Sequence, residues 1–227
     1  TTVLAALLDN HPNVSCLLEP FLSFLNRGSF AWNPPGGGKT VSCHTPDNVL
    51  NALTGRVSKE KLVGFKETFR CKGHGCFPNE SFLKSNYRNG IETLAIVRDP
   101  QAVWYSQTTR FTEDLTRKPT DLFLRQWNAF AGWIINDQVP WVRYEDLVGG
   151  PSQTMRDILA RLGVPYVDEV FLSTSKDGEG DASARSGMSI HNESLKKFMR
   201  LSDDTCRYIA RRCQRGMRQF QYMGLSL

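Results

Sequence analysis

A chain of 227 residues that is 40% hydrophobic and 22% charged has enough apolar material for a packed core, which excludes the disordered and fibrous classes and suits one substantial α/β domain better than two. No apolar run approaches the ~20 residues a helix needs to cross a bilayer. Six scattered cysteines are too few for a disulfide-built scaffold, and a net charge of +5 is too mild to name a partner by itself.

In chain order, Thr1 to Asn10 reads as a helix with Val3, Leu4, Leu7 and Leu8 on one face, stopped by the turn-forming Asn10-His11-Pro12-Asn13. Val14 to Leu18 reads as a strand and Phe21 to Leu25 as a short helix. Asn26 to Lys39 is rich in Gly, Pro and Asn and reads as a loop. Thr45 before Pro46 is an N-cap and first-turn pair for a helix to about Leu53. Leu62 to Lys66, Thr93 to Val97 and Pro140 to Arg143 read as strands, buried ones in the first two cases. Helical patterns lie between and after them. Ala102 to Phe111 is one; Leu122 to Asn136, with Leu122, Phe123, Trp127, Phe130, Ala131, Ile134 and Ile135 on one stripe, is another. A helix after Pro151 carries Met155, Ile158, Leu159 and Leu162 at core spacing and closes at Gly163 and Pro165. Ser173 to Ser189 is small, polar and Gly-rich, as mobile loops are, and two helices follow. This alternation predicts a parallel sheet with helices on both faces and a site beyond the C-terminal strand ends.

Two stretches carry chemistry. In IVRDPQAVWYS (96 to 106) a buried strand releases Arg98, turns at Asp-Pro and enters a helix that presents Ser106 eight residues after Arg98. Such a junction can hold a phosphate with a guanidinium fork, a hydroxyl and helix amides. The second is WVRYEDLVGGP (141 to 151), followed by the helix ending LARLGVP (159 to 165).

The pairing of VRDP-x-x-x-x-x-S with VRYEDL, Pro, helix and LGVP resembles the sulfotransferase superfamily over most of the chain. The resemblance implies a three-layer, P-loop-NTPase-like α/β fold with a central parallel sheet flanked by helices. It implies sulfuryl transfer from 3′-phosphoadenosine-5′-phosphosulfate (PAPS), leaving PAP, without a metal. TTVLAALLDNHPNVSCLLEPF resembles the segment where these enzymes carry Ser-Gly-Thr-Thr, a helix, a His-Pro turn and a strand ending in an acid. Residues 1–227 would then be one sulfotransferase domain. Thr1 and Thr2 would be the tail of the 5′-phosphosulfate loop, with the rest of that loop and the first strand upstream of Thr1.

By the same resemblance Glu19 stands where the protein-tyrosine branch carries its catalytic base. The flanking Leu17-Leu18-Glu19-Pro20 departs from that branch, and Glu-Pro-Phe resembles carbohydrate sulfotransferases and related bacterial enzymes. A glycan or small-molecule hydroxyl is therefore expected as acceptor before a peptide tyrosine. Lys66 matches a lysine that stabilises the bridging oxygen of the leaving group. Arg98 and Ser106 match the 3′-phosphate site; Arg110, Tyr144, Ser183 and Lys197 match positions that touch the adenosine or its phosphates.

Other features compete. GGGKT (36 to 40) lacks the strand, the spacing and the early helix of a nucleotide-triphosphate loop. CKGHGC (71 to 76) holds soft ligands at a spacing that matches no usual zinc pattern, and Cys71 and Cys76 could instead pair in an oxidising compartment. Three N-x-S sequons, at Asn13, Asn79 and Asn192, matter only on the secretory route, and the compartment stays open. Between Lys196 and Arg218 eight Lys or Arg face two acids, which fits an anionic ligand or a solvated helix face. A nucleic-acid or glycan module would want interleaved exposed aromatics or a binding motif, which the segment lacks, so no nucleic-acid partner is expected. A sulfotransferase fold that binds without catalysing is the remaining alternative.

Overall fold

The computed structural model describes residues 2–18, 29–32, 39–42, 62–69, 80–88, 90–111, 118–171 and 197–222. They divide into two compact units, Thr1–Thr68 with Ser152–Ile190 and Phe69–Pro151 with His191–Leu227.

In the first unit, α1 (Thr2–Asp9) buries Leu4, Ala5, Ala6 and Leu7. It stops where His11 precedes Pro12, a position that disfavours helical backbone. The turn is tied down by side chains. His11 is 1% exposed; its Nε2–H donates to the Pro165 carbonyl at 2.8 Å while its Nδ1 accepts from the Asn13 N–H at 3.0 Å. Asn10 Nδ2 donates to the Val170 carbonyl in the 3₁₀ turn Asp168–Phe171, and Asp9 Oδ1 accepts from the Cys16 N–H. His11 is thereby a structural residue.

From this turn β1 (Val14–Leu18) runs parallel to β4 (Leu62–Lys66), in register from Val14 opposite Leu62 to Leu18 opposite Lys66. Between them in sequence come β2 (Ser29–Trp32) and β3 (Lys39–Ser42), an antiparallel pair with Ser29 opposite Ser42 and Trp32 opposite Lys39. This corrects the loop expected over Asn26 to Lys39. The Pro/Gly cluster is confined to Asn33–Gly38, and Ser-Phe-Ala-Trp before it has the aromatic content of a strand. Lys39 and Thr40 of GGGKT stand in an antiparallel strand and not at a helix start, which removes the phosphate-loop reading of that motif. The expected helices over 21–25 and 45–53, and the 71–76 loop, lie outside the described residues.

In the second unit β5 (Ala95–Val97) runs parallel to β6 (Trp141–Arg143), with Ala95 opposite Trp141 and Val97 opposite Arg143. The helices are α2 (Glu80–Arg88), α3 (Pro100–Phe111), α4 (Asp121–Asn136) and the short α5 (Tyr144–Gly149). They continue with α6 (Pro151–Arg161), which belongs to the first unit beyond its first residue, and with α7 (Asp203–Arg212) and α8 (Gln214–Gln219). Neither α2 nor α5 was anticipated. The first has only Phe82, Leu83 and Tyr87 as apolar anchors, and the second is too short for periodicity to show.

Thr120 caps α4 by accepting from the Phe123 N–H at 3.1 Å. The helix buries Phe123, Leu124, Trp127, Ala131, Trp133 and Ile134; Phe130 and Ile135, placed on the stripe by sequence, are partly buried. Packing of α8 onto α4 depends on Gly216, where a Cβ would stand 2.6 Å from Trp127 Cζ3 and 2.8 Å from Ala131 Cβ. Rings complete this core, among them Trp104 with Phe123 and Phe220 with Trp127 and Trp141.

Candidate active site

The site is built where β5 and β6 end. Val97 pairs with Arg143, so Arg98 and Tyr144 leave their strands side by side, and the Arg98 guanidinium lies over the Tyr144 ring, 4.7 Å from its centroid. Arg98 Nε is buried and makes no hydrogen bond among the described residues. It is the charged member of the four buried atoms in that condition, the others being on Asn86, Gln126 and Trp133. A buried guanidinium donor without a partner is costly unless something anionic meets it.

The next turn is held tightly. The Arg98 carbonyl accepts from Trp127 Nε1–H at 3.2 Å, and the Asp99 N–H donates to Glu145 Oε1 at 3.1 Å. Glu145 Oε2 in turn accepts from the Tyr222 hydroxyl at 2.8 Å. Asp99 Oδ1 takes the Gln101 N–H at 2.7 Å and so caps α3, whose first helical bond runs from the Val103 N–H to the Asp99 carbonyl. Gln101 Nε2 donates to the Cys206 carbonyl, tying the start of α3 to α7.

Burial shapes the electrostatics. It lifts the Asp99 carboxyl from 3.8 to about 6, helped by the negative charge of Glu145 and opposed by the Gln101 and Ala102 amides and by Arg98. Burial, then the charge of Glu145 and their hydrogen bond, raises the Tyr222 phenol, which stays a donor. The Cys213 thiol is pushed up to about 12 by burial and by Asp99, and Cys206 also rises, mainly through burial; neither is an activated nucleophile.

Ser106 lies half-buried on α3, four residues before Arg110, so the two positions share one helix face. Lys197 opens the 3₁₀ turn Lys197–Arg200, which packs against α3. For Arg110, Lys197 and Thr2, the last opening α1, only the backbone is described. Lys66 ends β4 in the other unit, opposite Leu18, and its Nζ donates to Thr68 Oγ1 at 3.1 Å. Thr1, Glu19 and Ser183 lie outside the described residues.

The sequence reading missed Glu145, Tyr222 and Trp127. The Glu of VRYED stands two residues past the Arg143 that pairs with Val97, which was a usable signal; Tyr222 had none. The basic stretch from 196 to 218 resolves partly into exposed pairs, Arg207 with Asp204 on its own helix, and Arg212 and Arg215 with Asp121 and Asn136 at the two ends of α4.

No protein-family model matches the chain, and no curated protein matches it in sequence. Solved structures do match. The sulfotransferase domain of the Synechococcus PCC 7002 olefin synthase superposes with a TM-score of 0.61 at 16% identity, covering 97% of this chain and 90% of that one. The chain has the sulfotransferase fold. The sulfotransferase domain of the curacin biosynthetic pathway gives 0.57 at 16% identity over 97% of this chain and 93% of that one. Mouse sulfotransferase SULT7A1, complexed with PAP, gives 0.54 at 13% identity over 98% and 81%. The sulfotransferase fold here is mixed α/β, with two parallel strand pairs, and among the described residues no helix is long and apolar enough to cross a membrane.

Proposed function

We propose that the protein is a PAPS-dependent sulfotransferase acting on a hydroxyl of a carbohydrate or other small molecule. The observation that carries this reading is the buried Arg98 Nε without a hydrogen-bond partner among the described residues, at the end of a strand, in a fold shared with a structure that holds PAP. The residues fit such a nucleotide. Arg98 offers a fork for the 3′-phosphate, Ser106 a hydroxyl two turns into α3, and Tyr144 a ring beside the guanidinium. On this reading Thr1, Thr2, Arg110, Ser183 and Lys197 complete the nucleotide site, in the three-layer, P-loop-like architecture of the fold.

When bound, PAPS supplies an activated sulfuryl group on a good leaving group. The chain's own part is positioning and charge. Glu19 directly follows Leu18, the register partner of Lys66, so base and cation are assigned to adjacent strand ends. Glu19 takes the proton of the acceptor hydroxyl, and the Lys66 ammonium offsets charge building on the leaving oxygen.

The test is calorimetry with PAP on the wild-type chain and on Arg98→Ala, beside sulfuryl-transfer assays over a panel of hydroxyl acceptors. Loss of a charge-assisted phosphate contact should weaken PAP by ~30-fold or more. Equal affinity in a folded variant removes Arg98 from the site; PAP binding without turnover on any acceptor favours a binding module.

A further inference from the structure

The Arg98 carbonyl and the Asp99 N–H belong to one peptide plane, and that plane is pinned at both ends, by the Trp127 indole and by Glu145 Oε1. Two hydrogen bonds on opposite edges fix its rotation. They fix with it the direction in which the Arg98 side chain leaves the strand and the angle at which Asp99 caps α3. Glu145 is itself held, since its second oxygen accepts from Tyr222, which is 2% exposed and sits past the end of α8.

We propose that Glu145 and Tyr222 are positioning residues for the nucleotide site: Tyr222 holds the Glu145 carboxylate, the carboxylate locks the Arg98–Asp99 peptide, and the lock aims the Arg98 guanidinium. This rests on the nucleotide reading of Arg98 given above. Neither residue touches the ligand; both act through Arg98. The chain of contacts joins the segment after α8 to the end of β5, so affinity for the 3′-phosphate is set partly by a hydroxyl far from it in sequence. The arrangement is pre-organisation: a guanidinium already aimed loses less freedom when the anion arrives.

The experiment uses the full chain and PAP. Tyr222→Phe keeps the buried ring and removes only the hydroxyl, so the fold should survive. It should weaken PAP ~5- to 10-fold in calorimetry, but less than ~2-fold when Arg98 is already Ala, since a residue acting through Arg98 has nothing left to aim. Glu145→Gln can still accept from the Asp99 N–H and donate to the Tyr222 oxygen, so it should stay within ~3-fold of wild type, whereas Glu145→Ala should not. In a parallel measurement that needs no ligand, Tyr222→Phe should speed hydrogen exchange at the Asp99 amide ~10-fold while the middle of α4 is unchanged.

Wild-type affinity in Tyr222→Phe, an equal loss in both Arg98 backgrounds, or an Asp99 amide as protected as before overturns the proposal. So does a Glu145→Gln variant as weak as Glu145→Ala, which would make charge and not position the cause. If the wild type does not bind PAP, the nucleotide reading falls and takes the ligand half of this proposal with it. The exchange result then decides the peptide lock alone.

Discussion

Replacing Asp99 by Asn should make the protein more stable at neutral pH and should flatten one specific part of its pH profile. Asp99 is 4% exposed, caps α3 through Oδ1, and has its carboxyl raised from 3.8 to about 6, chiefly by burial. The charged and titratable groups around it are Arg98 in the same turn, Glu145 on α5, Cys206 and Cys213 at α7, and Tyr222 after α8. Because the folded pKa lies above the unfolded one, the folded chain holds the proton more tightly. Its contribution to stability is complete below pH 3.8 and is lost as pH rises through about 6. The interval corresponds to ~3 kcal/mol. Asparagine keeps the cap acceptor and cannot ionise. Urea unfolding of wild type and Asp99→Asn, followed by tryptophan fluorescence at pH values from 4 to 7, should show the difference moving in favour of the variant by ~2–3 kcal/mol with rising pH. Subtracting the two curves cancels the titrating groups that do not couple to Asp99. A difference that is flat across this range, or that moves toward the wild type, refutes the assignment of a buried Asp99 whose carboxyl is raised by burial.

Gly216→Ala should cost ~1–3 kcal/mol, read as a fall in the urea midpoint, because its methyl would meet Trp127 Cζ3 at 2.6 Å and α8 would have to lift from α4. His11→Ala should cost ~1–3 kcal/mol by the same measurement, since it removes a buried ring and its two hydrogen bonds, to the Asn13 N–H and the Pro165 carbonyl. Glu19→Gln should cut turnover ~10²-fold with PAP affinity nearly intact; loss of PAP binding in that variant would mark Glu19 as structural instead.

The elements legible in the sequence were those whose burial is continuous or periodic. Val14–Leu18 and Leu62–Lys66 were placed to the residue, because each is a short apolar run between clear stops and each pairs in a parallel ladder. The helix at Asp121–Asn136 is legible to within one residue through its wide apolar stripe. What escaped was decided by contacts distant in sequence. The β2–β3 pair hid beneath a loop-like composition concentrated in the six residues between the strands. For the candidate site, sequence proposes Arg98, Ser106 and Tyr144, which sit inside recognisable motifs. It passed over Tyr222, whose hydrogen bond to Glu145 links residues 77 positions apart and follows the packing of α8 on α4.

The two arginines at the strand ends show why a motif alone could not separate a candidate ligand residue from one already paired within the fold. Val97-Arg98 and Val142-Arg143 are the same dipeptide at the ends of neighbouring parallel strands. The register, however, sets Val97 opposite Arg143, so Arg143 is still inside the ladder while Arg98 has left it. Arg143 closes on Asp146 three residues later, with contacts of 2.9 and 2.6 Å to the two carboxylate oxygens, and this pairing holds its guanidinium firmly protonated. Its fork is used. Arg98, one step further on, meets a peptide plane locked by Trp127 and Glu145, an aromatic face and a helix start, and its buried Nε is left unanswered among the described residues. A shift of that register by one residue would set Arg98 opposite Arg143, so that Arg98 would no longer stand one step beyond its neighbour at the junction. The candidate anion site is therefore a property of strand register first and of residue type second.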